Sequence, residues 1–195
     1  MLKKIFLIVT CVLLVLVAFS QTKNRVSIFY SPANNGVDIK SGWTGDMGHT
    51  GKGANLFELR YSRNINSFFA VETGLQYAHN KIETHYFSDG VTHTENWEIS
   101  MVSVPIYGNL TFLKYFFVEA GPMADIEFNM YDCQTIPSQS GIGFILSLGG
   151  KYTYKNITVV VNPFFQRHLM LSFGGEDSTA HLWESGIKFG LGYSF

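Results

Sequence analysis

The residues best suited to chemistry are the six histidines, His49, His79, His85, His93, His168 and His181, with the serines and carboxylates near them. His168, Ser172 and Glu176 supply the residue types of a base, a nucleophile and an acid. Their spacing does not suit that task. Four residues of extended chain span about 13 Å, whereas a base and its nucleophile must approach to about 3 Å. No Gly-x-Ser-x-Gly elbow is present either. His79, His85 and His93 flank Asp89-Gly90, a turn-forming pair. His85 and His93 are nearly equidistant from its centre, so the spacing predicts that they face each other across a hairpin. Two imidazoles without cysteine or spaced acids fall one ligand short of a zinc site. The sequence therefore predicts no catalytic, cofactor-binding or metal-binding residue, no cofactor and no enzymatic activity.

A second set of polar residues follows a different logic. Glu58 and Arg60, Glu72 and Gln76, Glu119 and Asp125, Ser147 and Lys151, and Glu184 and Lys188 alternate with apolar neighbours. Those neighbours include Phe57, Leu59 and Tyr61, Phe69, Val71 and Leu75, and Phe116 and Val118. Alternation with period two describes β-strands with unlike faces. Strands are expected at about 25–32, 53–62, 67–87, 91–111, 115–129, 141–153, 157–169 and 181–195. Short turns, Arg63 to Asn66, Leu113-Lys114 and Tyr154 to Asn156, alternate with longer links at Ala33 to Lys52, Tyr131 to Ser140 and Leu171 to Ala180. Short turns on one side and long loops on the other mark a membrane barrel, with turns periplasmic and loops extracellular. A secreted lipocalin-like barrel shares the alternation. Three features favour the membrane. Tyr61, Tyr77, Trp97, Tyr152, Trp183 and Tyr193 fall near strand ends, where an interfacial girdle belongs. Gly74, Gly121, Gly143, Gly149, Gly186, Gly190 and Gly192 share the polar face, where small residues make room inside a narrow barrel. The third is the bare aromatic end at Phe195, a liability on a soluble surface.

Charge is near balance, with 14 Lys plus Arg against 15 Asp plus Glu, so no nucleic-acid partner is implied. Met1 to Gln21 reads as an export signal: Lys3 and Lys4 lead an apolar run, Ile5 to Val17, and Ala18-Phe19-Ser20 provides a small-x-small cleavage site. The expected organisation is a cleaved signal at 1–20 and one barrel domain at 21–195. Without Cys11, the mature chain keeps only Cys133 and has no internal disulfide.

The runs Ser103-Val104-Pro105-Ile106-Tyr107 and Tyr115-Phe116-Phe117-Val118-Glu119-Ala120-Gly121-Pro122, with the terminal Gly190-Leu191-Gly192-Tyr193-Ser194-Phe195, resemble the outer-membrane β-barrel domain family. This is the porin-like group of small barrels akin to OmpA and OmpX. The resemblance implies an all-β, eight-stranded antiparallel up-and-down barrel in the outer membrane of a Gram-negative-type envelope. It also implies insertion by the barrel-assembly machinery, with Phe189, Leu191, Tyr193 and Phe195 as the C-terminal assembly signal. The His-x-Ser spacing of lipid-modifying barrels is absent.

Eight strands leave a lumen that side chains can fill. Glu58, Arg60, Glu72, Glu119, Lys151 and Lys188 are expected in its turn-side half, three acids against three bases. Buried charges must be paired, so the expectation is an ion network that plugs the barrel. The long third and fourth strands should project as a ribbon whose edge invites a partner strand. The predicted function is a monomeric membrane protein, bathed in outer-membrane lipid, with a structural, interaction or adhesion role toward extracellular or host protein. A narrow pore is the first alternative and a lipid-modifying enzyme the second.

Overall fold

The computed structural model describes residues 24–39, 47–88, 91–128, 138–172 and 180–195. The predicted signal, the Asp89-Gly90 turn, Trp43, Cys133 and Glu176 lie outside these residues. Eight strands follow one another: β1 (Asn24–Ile39), β2 (Met47–Asn64), β3 (Phe69–Ser88), β4 (Val91–Phe112), β5 (Phe116–Glu127), β6 (Gly141–Tyr154), β7 (Ile157–Ser172) and β8 (Ala180–Ser194). Each pairs antiparallel with its sequence neighbours, and β8 returns to β1 to close the barrel. The closure is secured at the chain's end, where Asn24 and Phe195 exchange two backbone hydrogen bonds of 3.0 and 2.9 Å.

Alternation gives this barrel an inverted cross-section. Along β7, Ile157, Val159, Val161 and Phe165 are exposed while Thr158, Asn162 and Gln166 are buried. Around the outside, Ile28, Phe57, Leu59, Leu75, Ile106, Leu148 and Leu191 are each about half exposed or more. The interior holds the buried polar side chains together with a buried apolar cluster that includes Leu56, Ile82, Met101, Met123, Ile145 and Leu182. An apolar exterior is stable in lipid, where a closed sheet satisfies every backbone group. Tyr61, Tyr152 and Tyr193 are exposed near the turn side and Tyr77 nearer the loop side, where the half-buried Trp183 stacks on Phe165. Trp97 departs from the predicted girdle. It pairs with the buried Ile82 and has the parity of inward-facing Ile99, which sets it on the inner face of the projecting sheet.

The turn side is tight. Leu113 and Lys114 both have positive φ, 51° and 66°, as a short hairpin with right-handed strand twist demands. Interior glycines make room for aromatic rings. A Cβ at Gly190 would lie 2.2 Å from a ring carbon of Phe29, and one at Gly149 would lie 2.4 Å from Phe117.

The loop side differs from the sequence reading. Ala33 to Lys52 is not one long loop: β1 continues to Ile39 along β8, and β2 starts at Met47 along β3. The cause is side-chain pairing around Asn35, which the Asn- and Gly-rich composition disguises as a turn. Its amide donates to Asn80 Oδ1 (2.8 Å) and to the Lys81 carbonyl, while its oxygen accepts the Gly53 N–H. The β1–β2 ladder ends at Ala33 and Ala54, so above that level β2, β3 and β4 stand as a separate three-stranded sheet.

Candidate functional site

Two polar clusters occupy the lumen. The turn-side cluster is centred on Arg60, which is 2% exposed. Its Nε and Nη2 donate to the two oxygens of Glu58 at 2.7 and 3.1 Å. Its Nη1 reaches Glu72 (3.1 Å) and Glu119 (2.9 Å). The guanidinium lies between the rings of Phe29 and Tyr107, 4.4 and 4.1 Å from their centroids. Lys188 Nζ donates to Glu58 Oε2 and Gln76 Oε1, both at 2.7 Å, and sits 4.8 Å from the Phe164 ring centre. Tyr107 also donates to Glu58, Asn109 to Glu72 and Glu119, and Asn162 to Glu119. A buried charge is tolerable only with such saturation.

The structure brings Glu58, Arg60, Glu72, Glu119 and Lys188 together. Lys151 is the exception. It reaches the turn-side mouth, but its Nζ donates to Thr111 Oγ1 (2.7 Å) and makes no ion pair among the described residues. The third base is Arg25, whose Nη2 meets Glu72 Oε1 at 3.1 Å. The physical reason is register. Arg25 and Glu72 reach the same level from either side of Ser62, whereas Lys151 lies nearer the mouth.

The loop-side cluster joins Asp125, His168 and Glu184, each fully buried. His168 Nδ1 lies 2.9 Å from Asp125 Oδ2, and its Nε2 lies 3.3 Å from Glu184 Oε2. The Asn80 and Gln166 amides also donate to Glu184. This grouping escaped the sequence reading, which weighed His168 with Ser172. Parity was the available signal, because His168 shares its face of β7 with Asn162 and Gln166. Ser172 instead ends β7 opposite Gly141.

In the projecting sheet, His85 and His93 do not face each other. His85 pairs with Thr94 and Tyr86 with His93, one residue out of the predicted register. His85 Nε2 lies 2.9 Å from Glu83, which also meets Lys52 at 2.8 Å. The hydrogen bond from Lys52 is the main cause holding the Glu83 carboxyl below its ordinary range. Burial pushes the His49 imidazole below its ordinary range, with Nδ1 against Thr84 Oγ1 at 2.8 Å. The hydrogen bond to Glu95 raises the Tyr86 phenol.

No family model and no curated protein matches the chain. Among solved structures, it is similar to the outer membrane protein OprG from Pseudomonas aeruginosa at TM-score 0.58 and 9% identity, covering 89% of this chain and 96% of that one. The fold is that of an outer-membrane barrel. The likeness to Ail of Yersinia pestis, solved with a heparin analogue, is looser, at TM-score 0.43 and 15% identity over 88% of this chain and 99% of that one. AlkL gives 0.47 and 14%, over 90% of each chain. At these identities the shared feature is the barrel itself, and its interior chemistry has to be read from its own residues.

Proposed function

We propose that this barrel resides in the outer membrane, is closed inside by its ion network, and acts through the sheet that it raises above the bilayer. The observation that carries this reading is the outer edge of β4. From Val91 to Ile99 it has no strand neighbour on the side away from β3 among the described residues, and Val91 to Asn96 are exposed. β4 pairs with β5 only from Met101 downward. Nine residues of strand extend roughly 30 Å, and an edge of that length is a template for strand addition by a protein partner. Export through the 1–20 signal, insertion by the barrel-assembly machinery and a monomeric state belong to the same reading. The exposed outward row Phe189, Leu191, Tyr193 and Phe195 serves it as the assembly signal. A catalytic role is not part of it, because His168 is committed to Asp125 and Glu184 inside the lumen.

A narrow pore is the second reading. Buried polar atoms without a partner, including Gln76 Nε2, Ser103 Oγ, Asp125 Oδ1 and Ser147 Oγ, favour it, since such atoms are commonly satisfied by water. Planar-bilayer recording of the refolded barrel separates the two. The closed lumen predicts no steady conductance of porin size, and regular open-channel steps would overturn it.

A further inference from the structure

The turn-side mouth of the lumen holds a cavity of about 310 Å³. Inward residues of seven strands and the β2–β3 and β4–β5 turns line it. Three of the lining residues, Arg25, Lys114 and Lys151, are cations, and none is an acid. The nearest carboxylate layer is already committed. Glu72 receives Arg25, Arg60 and Asn109, and Glu119 receives Arg60, Asn109 and Asn162. In the turn-side half, Glu58, Glu72 and Glu119 therefore face Arg25, Arg60, Lys151 and Lys188, three acids against four bases. The surplus cation is Lys151. Its ammonium holds one hydroxyl, Thr111, and lies 5.7 Å from the Phe117 ring centre. Arg25 Nε is also buried without a hydrogen-bond partner.

We propose that this mouth binds a phosphate group. A part-buried ammonium with spare N–H donors and no carboxylate is an incomplete ion pair, and an anion entering the cavity completes it. The donors left around it, the Ser194 hydroxyl, the one proton that the Thr153–Thr158 pair leaves free and the Arg25 guanidinium, suit an anion with several acceptor oxygens better than a single carboxylate. Lys114 stands at the rim on a left-handed backbone that holds its turn, where it can meet an anion at the membrane surface. The turn side of such barrels faces the periplasm. The phosphate therefore comes either from a lipid headgroup of the inner leaflet or from a soluble phosphate.

The test is titration calorimetry on the refolded full barrel in a neutral maltoside detergent. Two probes are used: inorganic phosphate, and monomeric dihexanoyl phosphatidylglycerol. Saturable binding of either probe is expected, and which one binds identifies the source. Lys151→Met should weaken it about tenfold or more, the scale of one lost charge-assisted contact. Lys151→Arg should retain most of it. Lys114→Asn, which suits the positive φ, should weaken the lipid probe more than the inorganic one. Heat-modifiable gel migration of each variant verifies that the barrel is intact. If neither probe binds saturably, or if an intact Lys151→Met barrel binds as the parent does, the proposal is wrong.

Discussion

The turn-side and loop-side clusters solve one problem, charge buried inside a narrow barrel, with different materials. The turn-side cluster relies on guanidinium and ammonium groups. Arg60 spreads its donors over three acids and is clamped between two rings. The loop-side cluster has two acids and a single imidazole, with the balance supplied by amides of Asn80 and Gln166. Arginine offers five donors in a fixed planar fork, whereas an imidazole offers one ring nitrogen to each of two partners. One barrel can thus be tied by a guanidinium shared among three acids at one end and by an imidazole bridging two acids at the other.

The largest effect should come from Arg60→Leu. It leaves Glu119 without a cation and takes one of two from Glu58 and from Glu72, and breaking a buried ion cluster by removing one partner costs about 3–5 kcal/mol. Guanidinium unfolding in detergent micelles measures it, and a change within error would mean that the turn-side cluster is not what ties the barrel.

His168→Leu should cost less, roughly 1–3 kcal/mol, the penalty of leaving buried acceptors short of a donor. His168→Gln should recover part of that loss, because an amide can still donate to one carboxylate. Equal losses for His168→Leu and Arg60→Leu in the same assay would erase the distinction between the clusters.

The smallest effect lies outside the barrel wall, in the projecting sheet. His49 has its pKa lowered by burial, so between its folded and unfolded values the unfolded strand binds more protons. Stability of the β2–β3 tip is therefore present above the unfolded value and falls as pH drops below it. Glu83 works in the same sense at lower pH, since its lowered pKa stabilises the fold above its unfolded value. Amide protection factors at Gly48 to Gly51, with the intrinsic pH dependence of exchange divided out, should fall between pH 7 and 5, and His49→Gln should flatten that change. Protection factors that do not change with pH in the parent would rule out this role for His49.

Eight strands and the sign of each face were legible because a period of two leaves its mark on every segment. The members of the turn-side cluster were legible for the same reason: Glu58, Arg60, Glu72, Glu119 and Lys188 all fall on inward positions. Who meets whom was not. Arg60 and Glu119 are 59 residues apart, and their meeting depends on strand stagger that no local pattern encodes. Arg25 was hidden at the start of a strand read as half its true length, because Asn34-Asn35-Gly36 has turn chemistry in isolation. His85 and His93 missed each other by one position, the difference between two-fold symmetry about a residue and about a bond.

The ion pair between Lys188 and Glu58 spans 130 residues of chain and joins the eighth strand to the second. Until β8 docks on β1, Glu58 lacks one of its two cations, and the row Phe29 to Gly190 has not met. Contacts of such high sequence separation form late and slowly. An unclosed sheet therefore carries a carboxylate short of one partner as well as two bare edges, and both are relieved in one event.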